Sequence, residues 1–230
     1  GELAISDHRS SQMTDAELAR AAGEAHVAGL MTGKAGVCHL HLGDGAAGLE
    51  MVRRALKHTE IPARVFNPTH CNRKLTLFDE ACEITKDGCY VDITAFPVEE
   101  GEDGLEADDA LIQYLERGHD PSRITISTDS GGCLACFDEN GLPHGLDYGR
   151  ADDLALALAK SAKAIGLGRA LPAFTRNPAE LMRFHTKGRV ATGMDADLVL
   201  MDENFGIASV MALGEWMIQD RDIKKRGTFE

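Results

Sequence analysis

The stretch 36-GVCHLHLGD-44 decides the fold, because it alternates apolar and polar residues and then breaks at a glycine. Two later stretches, 63-ARVFNPTH-70 and 123-RITISTD-129, also end a short apolar or β-branched run with a side chain that can bind a metal. Each pattern predicts a β-strand. The metal-capable side chains can converge on one point only if their strands run parallel and side by side. These side chains are His41, His70 and Asp129.

Strand-like and helix-like segments alternate up to residue 129, which favours a parallel sheet with crossover helices. Strands are predicted at 3–6, 36–42, 63–69, 90–96 and 123–128. Helices are predicted at 14–30, 46–58, 72–86 and 151–165, and another begins at 177. Thr14 with Glu17 forms a capping box, and Asn72 and Asn177 are predicted N-caps. The sequence therefore predicts an α/β fold, part of a TIM-type (β/α) barrel with its chemistry at the C-terminal mouth of the strands.

The pattern changes after residue 187. From Gly188 onward, period-two alternation and turn residues predict strands at 198–201, 207–213 and 215–218. We expect two domains: a partial barrel over 1–187 and strands of a small antiparallel β module over 188–230.

Composition excludes several function classes. The formal net charge of −13 argues against nucleic-acid binding, which needs clustered Lys and Arg. No apolar run approaches the roughly 20 residues of a membrane span, and no signal-like start is present, so we expect a cytoplasmic protein without a membrane partner. The six cysteines are too sparse for a disulfide framework, and Cys133 and Cys136 lack the context of a redox or zinc pair.

The first strand adds a candidate ligand, Glu2. Two imidazoles with two carboxylates make an N/O donor set that suits zinc. His39 shares the strand face of His41 but lies one layer deeper, so we interpret it as a packed, hydrogen-bonded core residue. Asp7 and His8 are either partners of the metal ligands or simply polar residues at a strand end, and the sequence does not separate these interpretations.

The chain resembles the isoaspartyl (β-aspartyl) dipeptidases, a family of metal-dependent amidohydrolases. The motifs that carry the resemblance are 4-AISDHRS-10, 33-GKAG-36, 41-HLGD-44, 68-PTHCNR-73, 127-STD-129 and 225-KRGTFE-230. The stretch 193-GMDADLV-199 is similar to the amidohydrolase tail in general.

This resemblance implies two zinc ions and assigns their ligands. His41 and His70 bind one ion, and Asp129 binds the other and acts as the general base and acid. Glu2 stands where many family members have a carboxylated lysine that bridges the metals; a glutamate offers the same pair of oxygens. The implied reaction is hydrolysis of β-aspartyl dipeptides, in which a hydroxide held by the metals attacks the amide.

The resemblance also implies substrate contacts. Arg9 and Arg73 grip substrate carboxylates, and Cys133 stands where a serine is found in at least one relative. The implied partner is a small dipeptide, and the implied assembly is a homo-oligomer.

Family features are also expected before Gly1: the His-x-His pair of the first barrel strand, a glutamate that reads the substrate amine, and a tyrosine near the scissile carbonyl. We therefore expect this chain to be the C-terminal part of a longer enzyme and to be inactive by itself. Two alternatives stay open. One is another amidohydrolase reaction, such as deacylation of N-acyl-amino acids or opening of a cyclic amide. The other is a catalytically silent fragment or scaffold.

Overall fold

A computed structural model of the chain describes residues 2–98, 101–138, 140 and 142–227. Five parallel strands follow one another in chain order and carry the site. They are β1 (Glu2–Ile5), β2 (Cys38–Leu42), β3 (Phe66–Thr69), β4 (Val91–Thr94) and β5 (Ile124–Ser127).

The strands pair as neighbours along the chain. β1, β2 and β3 form one parallel sheet in which Ala4, His41 and Thr69 share a register row, and β4 pairs with β5 in parallel. Two backbone hydrogen bonds of 3.3 Å, from Tyr90 to Phe66 and from Cys71 to Asp92, link β3 to β4. The predicted parallel order is confirmed, and the described strands do not close into a barrel.

The two faces of these strands differ in chemistry. Alternate residues such as Leu40, Ile93 and Ile124 are fully buried in the apolar core. The residues between them are polar, and they share the opposite face because strand side chains alternate. This polar face consists of His39, His41, Asn67, Thr69, Asp92, Thr94, Thr125 and Ser127. The interior of a (β/α) barrel is usually filled by branched apolar residues, so this face is unusual.

A helix follows each of the first four strands. These helices are α1 (Asp15–Thr32), α2 (Glu50–His58), α3 (Leu75–Ile84) and α4 (Ala107–Glu116). The capping box is confirmed: the Glu17 amide donates to the Thr14 hydroxyl, and the Thr14 amide donates to the Glu17 carboxylate. α2 begins four residues later than predicted, and residues 63–65, predicted as strand, form a short 3₁₀ helix.

The hairpin that follows β5 was not predicted from the sequence. Strands β6 (Cys133–Phe137) and β7 (Pro143–Tyr148) pair antiparallel. The chain then continues through α5 (Asp153–Ile165), α6 (Leu167–Ala170) and α7 (Arg176–Leu181).

The C-terminal strands form a separate antiparallel sheet. It contains β8 (Leu198–Met201), β9 (Ile207–Ala212), β10 (Glu215–Gln219) and β11 (Asp222–Ile223), in the order β11-β10-β9-β8. The predicted antiparallel strands of the tail are therefore present. No helix in the described part of the chain is long and apolar enough to cross a membrane.

Two predicted helix caps are wrong, for the same physical reason. Asn72 is fully buried and bonds to the backbone of Thr94 and Leu105, so α3 starts without a side-chain cap. Asn177 is also fully buried, inside α7, and donates to the carbonyls of Pro121 and Ile124, each at 2.7 Å. Both amides satisfy distant buried backbone groups instead of their own helix ends.

Candidate metal centre

Three side chains predicted to bind metal come together at the carboxyl ends of the parallel strands. Nδ1 of His41 lies 3.0 Å from Nε2 of His70, and that atom lies 3.7 Å from Oδ2 of Asp129. One ligand atom from each residue falls within 4.8 Å of the other two. The three residues come from β2, from just after β3 and from just after β5, so the predicted convergence of separate strands is confirmed.

This geometry fits a divalent ion. Two imidazole nitrogens bound tetrahedrally to zinc at about 2.0–2.1 Å stand roughly 3.3 Å apart, close to the separation of the two histidine nitrogens. The donor set, two imidazoles and a carboxylate, also matches the preferences of zinc. His41, His70 and Asp129 can therefore hold a divalent metal without a large rearrangement.

His70 is prepared to act as a ligand. Its Nδ1 lies 2.7 Å from the Thr94 hydroxyl, which leaves Nε2 facing His41 and Asp129. Burial, together with the charge of Arg73 and the neighbouring His41, lowers the pKa of His70 to about 3. The ring is therefore neutral at neutral pH, as a metal-binding imidazole must be.

Backbone conformation also distinguishes two of the ligands. His70 (φ 60°) and Asp129 (φ 52°) both occupy the left-handed region, which is uncommon outside glycine. Such strain clusters at functional sites, where the surrounding structure enforces it. Around Asp129, a Cβ on Gly149 would lie 2.6 Å from the Asp129 carbonyl oxygen, and one on Gly132 would lie 2.9 Å from the Asp129 carboxyl carbon. Only glycine allows the hairpin to approach Asp129 this closely.

Two predicted site residues lie outside the described side chains. In β1, the backbone of Glu2 pairs with that of His39 in β2, and Cys133 begins β6. The proposed roles of Glu2 and Cys133 therefore stay predictions.

The predicted carboxylate-binding arginines both line one cavity of about 740 Å³, together with His70 and Asp129. They differ in their partners. Arg9 donates from Nε and Nη2 to the Asp7 carboxylate, at 2.9 and 2.7 Å. Arg73 makes no side-chain hydrogen bond or ion pair among the described residues, and burial and the charge of Arg9 lower its pKa. Arg73 is therefore the guanidinium best placed to receive an anion.

Asp7 and His8, whose roles the sequence leaves open, both make polar contacts. The Arg9 guanidinium holds the pKa of Asp7 at about 2, and Nδ1 of His8 lies 3.1 Å from Asp44. Asp7, His8 and Asp44 form a second group of metal-capable atoms. It is more exposed than the His41–His70–Asp129 group, and Arg9 already occupies the Asp7 carboxylate. His8 and Asp44 line the cavity, and Asp7 pairs with Arg9 beside them.

His39 makes the expected hydrogen bond but is half-buried, not fully buried in the core. Its Nδ1 lies 2.8 Å from Oδ1 of Asn67, within the polar face. Thr94 and Asp92 were not predicted as site residues, although Thr94 contacts the His70 ring and Asp92 contacts the neighbouring Thr69. Two polar residues that alternate with apolar ones in a buried strand could have indicated that they face a functional site.

Comparison with known proteins identifies the family. A sequence profile of the amidohydrolase family matches residues 2–217. The chain belongs to the amidohydrolase family. Two crystal structures of a β-aspartyl dipeptidase from the thermophilic, keratin-degrading Fervidobacterium islandicum AW-1 are similar to it. The first, in complex with the β-Asp-Leu dipeptide, is 37% identical with a TM-score of 0.89, and the match covers 99% of this chain and 60% of that one.

The second crystal structure of that enzyme is 33% identical with a TM-score of 0.86, covering 99% of this chain and 58% of that one. This chain therefore spans about 60% of the length of the dipeptidase that it resembles. An adenosine deaminase from Xanthomonas campestris with bound zinc shares the fold at 15% identity, with a TM-score of 0.56 over 94% of this chain and 52% of that one.

Proposed function

We propose that this amidohydrolase acts in the hydrolysis of β-aspartyl dipeptides, with zinc as the metal. The observation that carries the proposal is one cavity, lined by His70 and Asp129 of the metal-binding group and by Arg73, whose guanidinium has no hydrogen-bond or ion-pair partner among the described residues. The similarity to a β-aspartyl dipeptidase crystallised with β-Asp-Leu supports the same substrate class.

The charges of the cavity suit such a substrate. A β-aspartyl dipeptide carries two carboxylates, one on the isoaspartyl residue and one at the C-terminus. Arg73 would bind one of them through the planar fork of its guanidinium, which matches the geometry of a carboxylate. Arg9 keeps one nitrogen, Nη1, uncommitted to Asp7, so it would contribute a weaker second contact.

The reaction would then follow from the positions of these groups. Divalent ions, one held by His41 and His70 and the other by Asp129, would polarise the scissile carbonyl and lower the pKa of water. The Asp129 side chain is 44% exposed and lines the cavity, so it can take the proton of the attacking water and deliver it to the leaving amine as the C–N bond breaks. The arginines would fix the amide against Asp129, which lowers the entropic cost of the reaction.

The finer points of the metal centre also belong to this proposal. We propose two zinc ions, with Glu2 in place of the bridging carboxylated lysine of related enzymes. His41 and His70 would serve one ion and Asp129 the other, although the described distances also bring Asp129 within reach of the first.

A binding and activity experiment tests the proposal. The purified chain is stripped with a chelator, titrated with zinc, and then offered β-Asp-Leu and α-Asp-Leu in calorimetry and in an assay for released leucine. Zinc binding with preference for β-Asp-Leu supports the proposal, whether or not turnover accompanies it. Zinc binding without that preference would favour another amidohydrolase reaction. A chain that binds neither zinc nor dipeptide would favour a scaffold.

A further inference from the structure

Strand β4 supplies none of the three metal ligands, yet its polar side chains contact His70 and residues close in the chain to His70 and Asp129. Thr94 and Asp92 lie on this face, two residues apart. Both side chains are buried, with 2% and 3% of their surface exposed. A buried carboxylate is costly, and an apolar residue of similar volume normally serves a strand interior better.

Thr94 acts on one ligand directly. Its hydroxyl lies 2.7 Å from Nδ1 of His70, on the side of the ring opposite the other ligands. The hydrogen bond fixes the rotation of the imidazole. When Nε2 binds a metal, the neutral ring carries its proton on Nδ1, and this N–H donates to the Thr94 hydroxyl.

Asp92 connects the neighbouring strands. One of its carboxylate oxygens accepts hydrogen bonds from the hydroxyls of Thr69, at 2.7 Å, and Ser127, at 2.6 Å. The other oxygen accepts one from Thr125, at 2.6 Å. Thr69 immediately precedes His70, and Ser127 stands two residues before Asp129. Asp92 therefore ties together the strand ends that carry these two ligands.

We infer that Thr94 and Asp92 are positioning residues of the metal centre. Thr94 orients the His70 ring, and Asp92 holds the ends of β3 and β5 at the spacing that the ion requires. This inference rests on the metal centre of the proposed function, but it concerns residues that touch neither metal nor substrate. Removing the orienting partner of a metal-bound histidine typically weakens metal binding 10–100-fold.

The first experiment measures zinc affinity, by competition with a chromophoric chelator, in the full chain. Thr94→Val keeps the shape of the side chain and removes the hydroxyl, whereas Thr94→Ser keeps the hydroxyl. The matched control is Thr85→Val, because Thr85 is also buried and its hydroxyl donates to the Cys82 carbonyl at 2.7 Å, away from the site. We expect T94V to lose about 10–100-fold in zinc affinity, and T94S and T85V to stay within about twofold of the parent.

A spectroscopic readout separates positioning from general stability. The visible absorption of the cobalt-substituted protein reports the ligand geometry. We expect the bands to shift or weaken in T94V and in Asp92→Asn, and to stay unchanged in T85V. D92N also covers the case in which T94V does not fold; we expect it to lose about tenfold in zinc affinity.

The possible outcomes distinguish a positioning role from a general effect on stability. Parent-like zinc affinity and cobalt spectra in T94V and D92N would overturn the inference while leaving the metal centre intact. Equal losses in T94V, T94S and T85V would also overturn it, because they would reflect stability alone. A parent chain that binds neither zinc nor cobalt would overturn the metal centre and this inference together.

Discussion

Replacing Asn72 with alanine should destabilise the fold severely. The Asn72 side chain is fully buried. Its oxygen accepts a hydrogen bond from the Thr94 amide at 3.0 Å, and its nitrogen donates to the carbonyls of Thr94, at 3.0 Å, and Leu105, at 2.7 Å. These bonds join the end of β3 to the end of β4 and to the segment before α4.

The magnitude follows from the groups left behind. Alanine removes the partner of the Thr94 amide and of the Leu105 carbonyl, whereas the Thr94 carbonyl keeps a hydrogen bond from the Phe96 amide at 3.1 Å. Each orphaned buried group costs about 1–3 kcal/mol. Because two groups are orphaned and Leu105 is only partly buried, we expect the free energy of unfolding to fall by about 2–4 kcal/mol. A helix cap, the role that the sequence suggested, would lose only about 1 kcal/mol.

Urea denaturation followed by circular dichroism measures this difference. Asn72→Asp should be at least as damaging as the alanine variant, because a carboxylate cannot donate to the two carbonyls. The control, Asn204→Ala, alters an exposed residue and should change stability by no more than about 0.5 kcal/mol. A loss of about 1 kcal/mol or less in N72A would refute the bridging role.

Three further outcomes follow from the site. In the complete enzyme, Asp129→Asn should reduce kcat/KM for β-Asp-Leu more than a hundredfold, about 3 kcal/mol, because a metal ligand and the base disappear together; near-parent turnover would remove Asp129 from the mechanism. Arg73→Lys should weaken β-Asp-Leu binding by roughly tenfold in calorimetry with zinc content unchanged, and more than Arg9→Lys does, since Asp7 already occupies Arg9; equal effects would contradict this ranking. The lowered pKa of His70, about 3, means that His70 contributes its full stabilisation of the metal-free protein only above pH 6.5. The free energy of unfolding should therefore fall by on the order of 1 kcal/mol per pH unit as the pH drops from 6.5 towards 3. His70→Asn should flatten this decline in acid titrations followed by fluorescence.

Periodicity predicted the parallel strands and the meeting of His41, His70 and Asp129, because alternation and strand order are local properties of the sequence. The roles of Asn72 and Asn177 were not predictable in this way. Their hydrogen-bond partners include groups 22 and 53 residues away along the chain, so a rule about helix ends has no access to them.

The hairpin after β5 escaped prediction for a related reason. Glycine and polar residues interrupt the alternation of 133–148, and the hairpin is defined by its pairing and by its close approach to Asp129. The left-handed conformations of His70 and Asp129 likewise depend on tertiary structure. The expected cytoplasmic location, homo-oligomer and domain boundary near residue 187 stay predictions.

Crystals grown with zinc, measured at the zinc absorption edge, would test the central claim most directly. We predict one anomalous peak beside Nδ1 of His41 and Nε2 of His70, and a second beside the Asp129 carboxylate. The same crystals contain a built-in comparison, the Asp7–His8–Asp44 group at the rim of the cavity. A peak at that group alone, or none at either group under saturating zinc, would contradict the account.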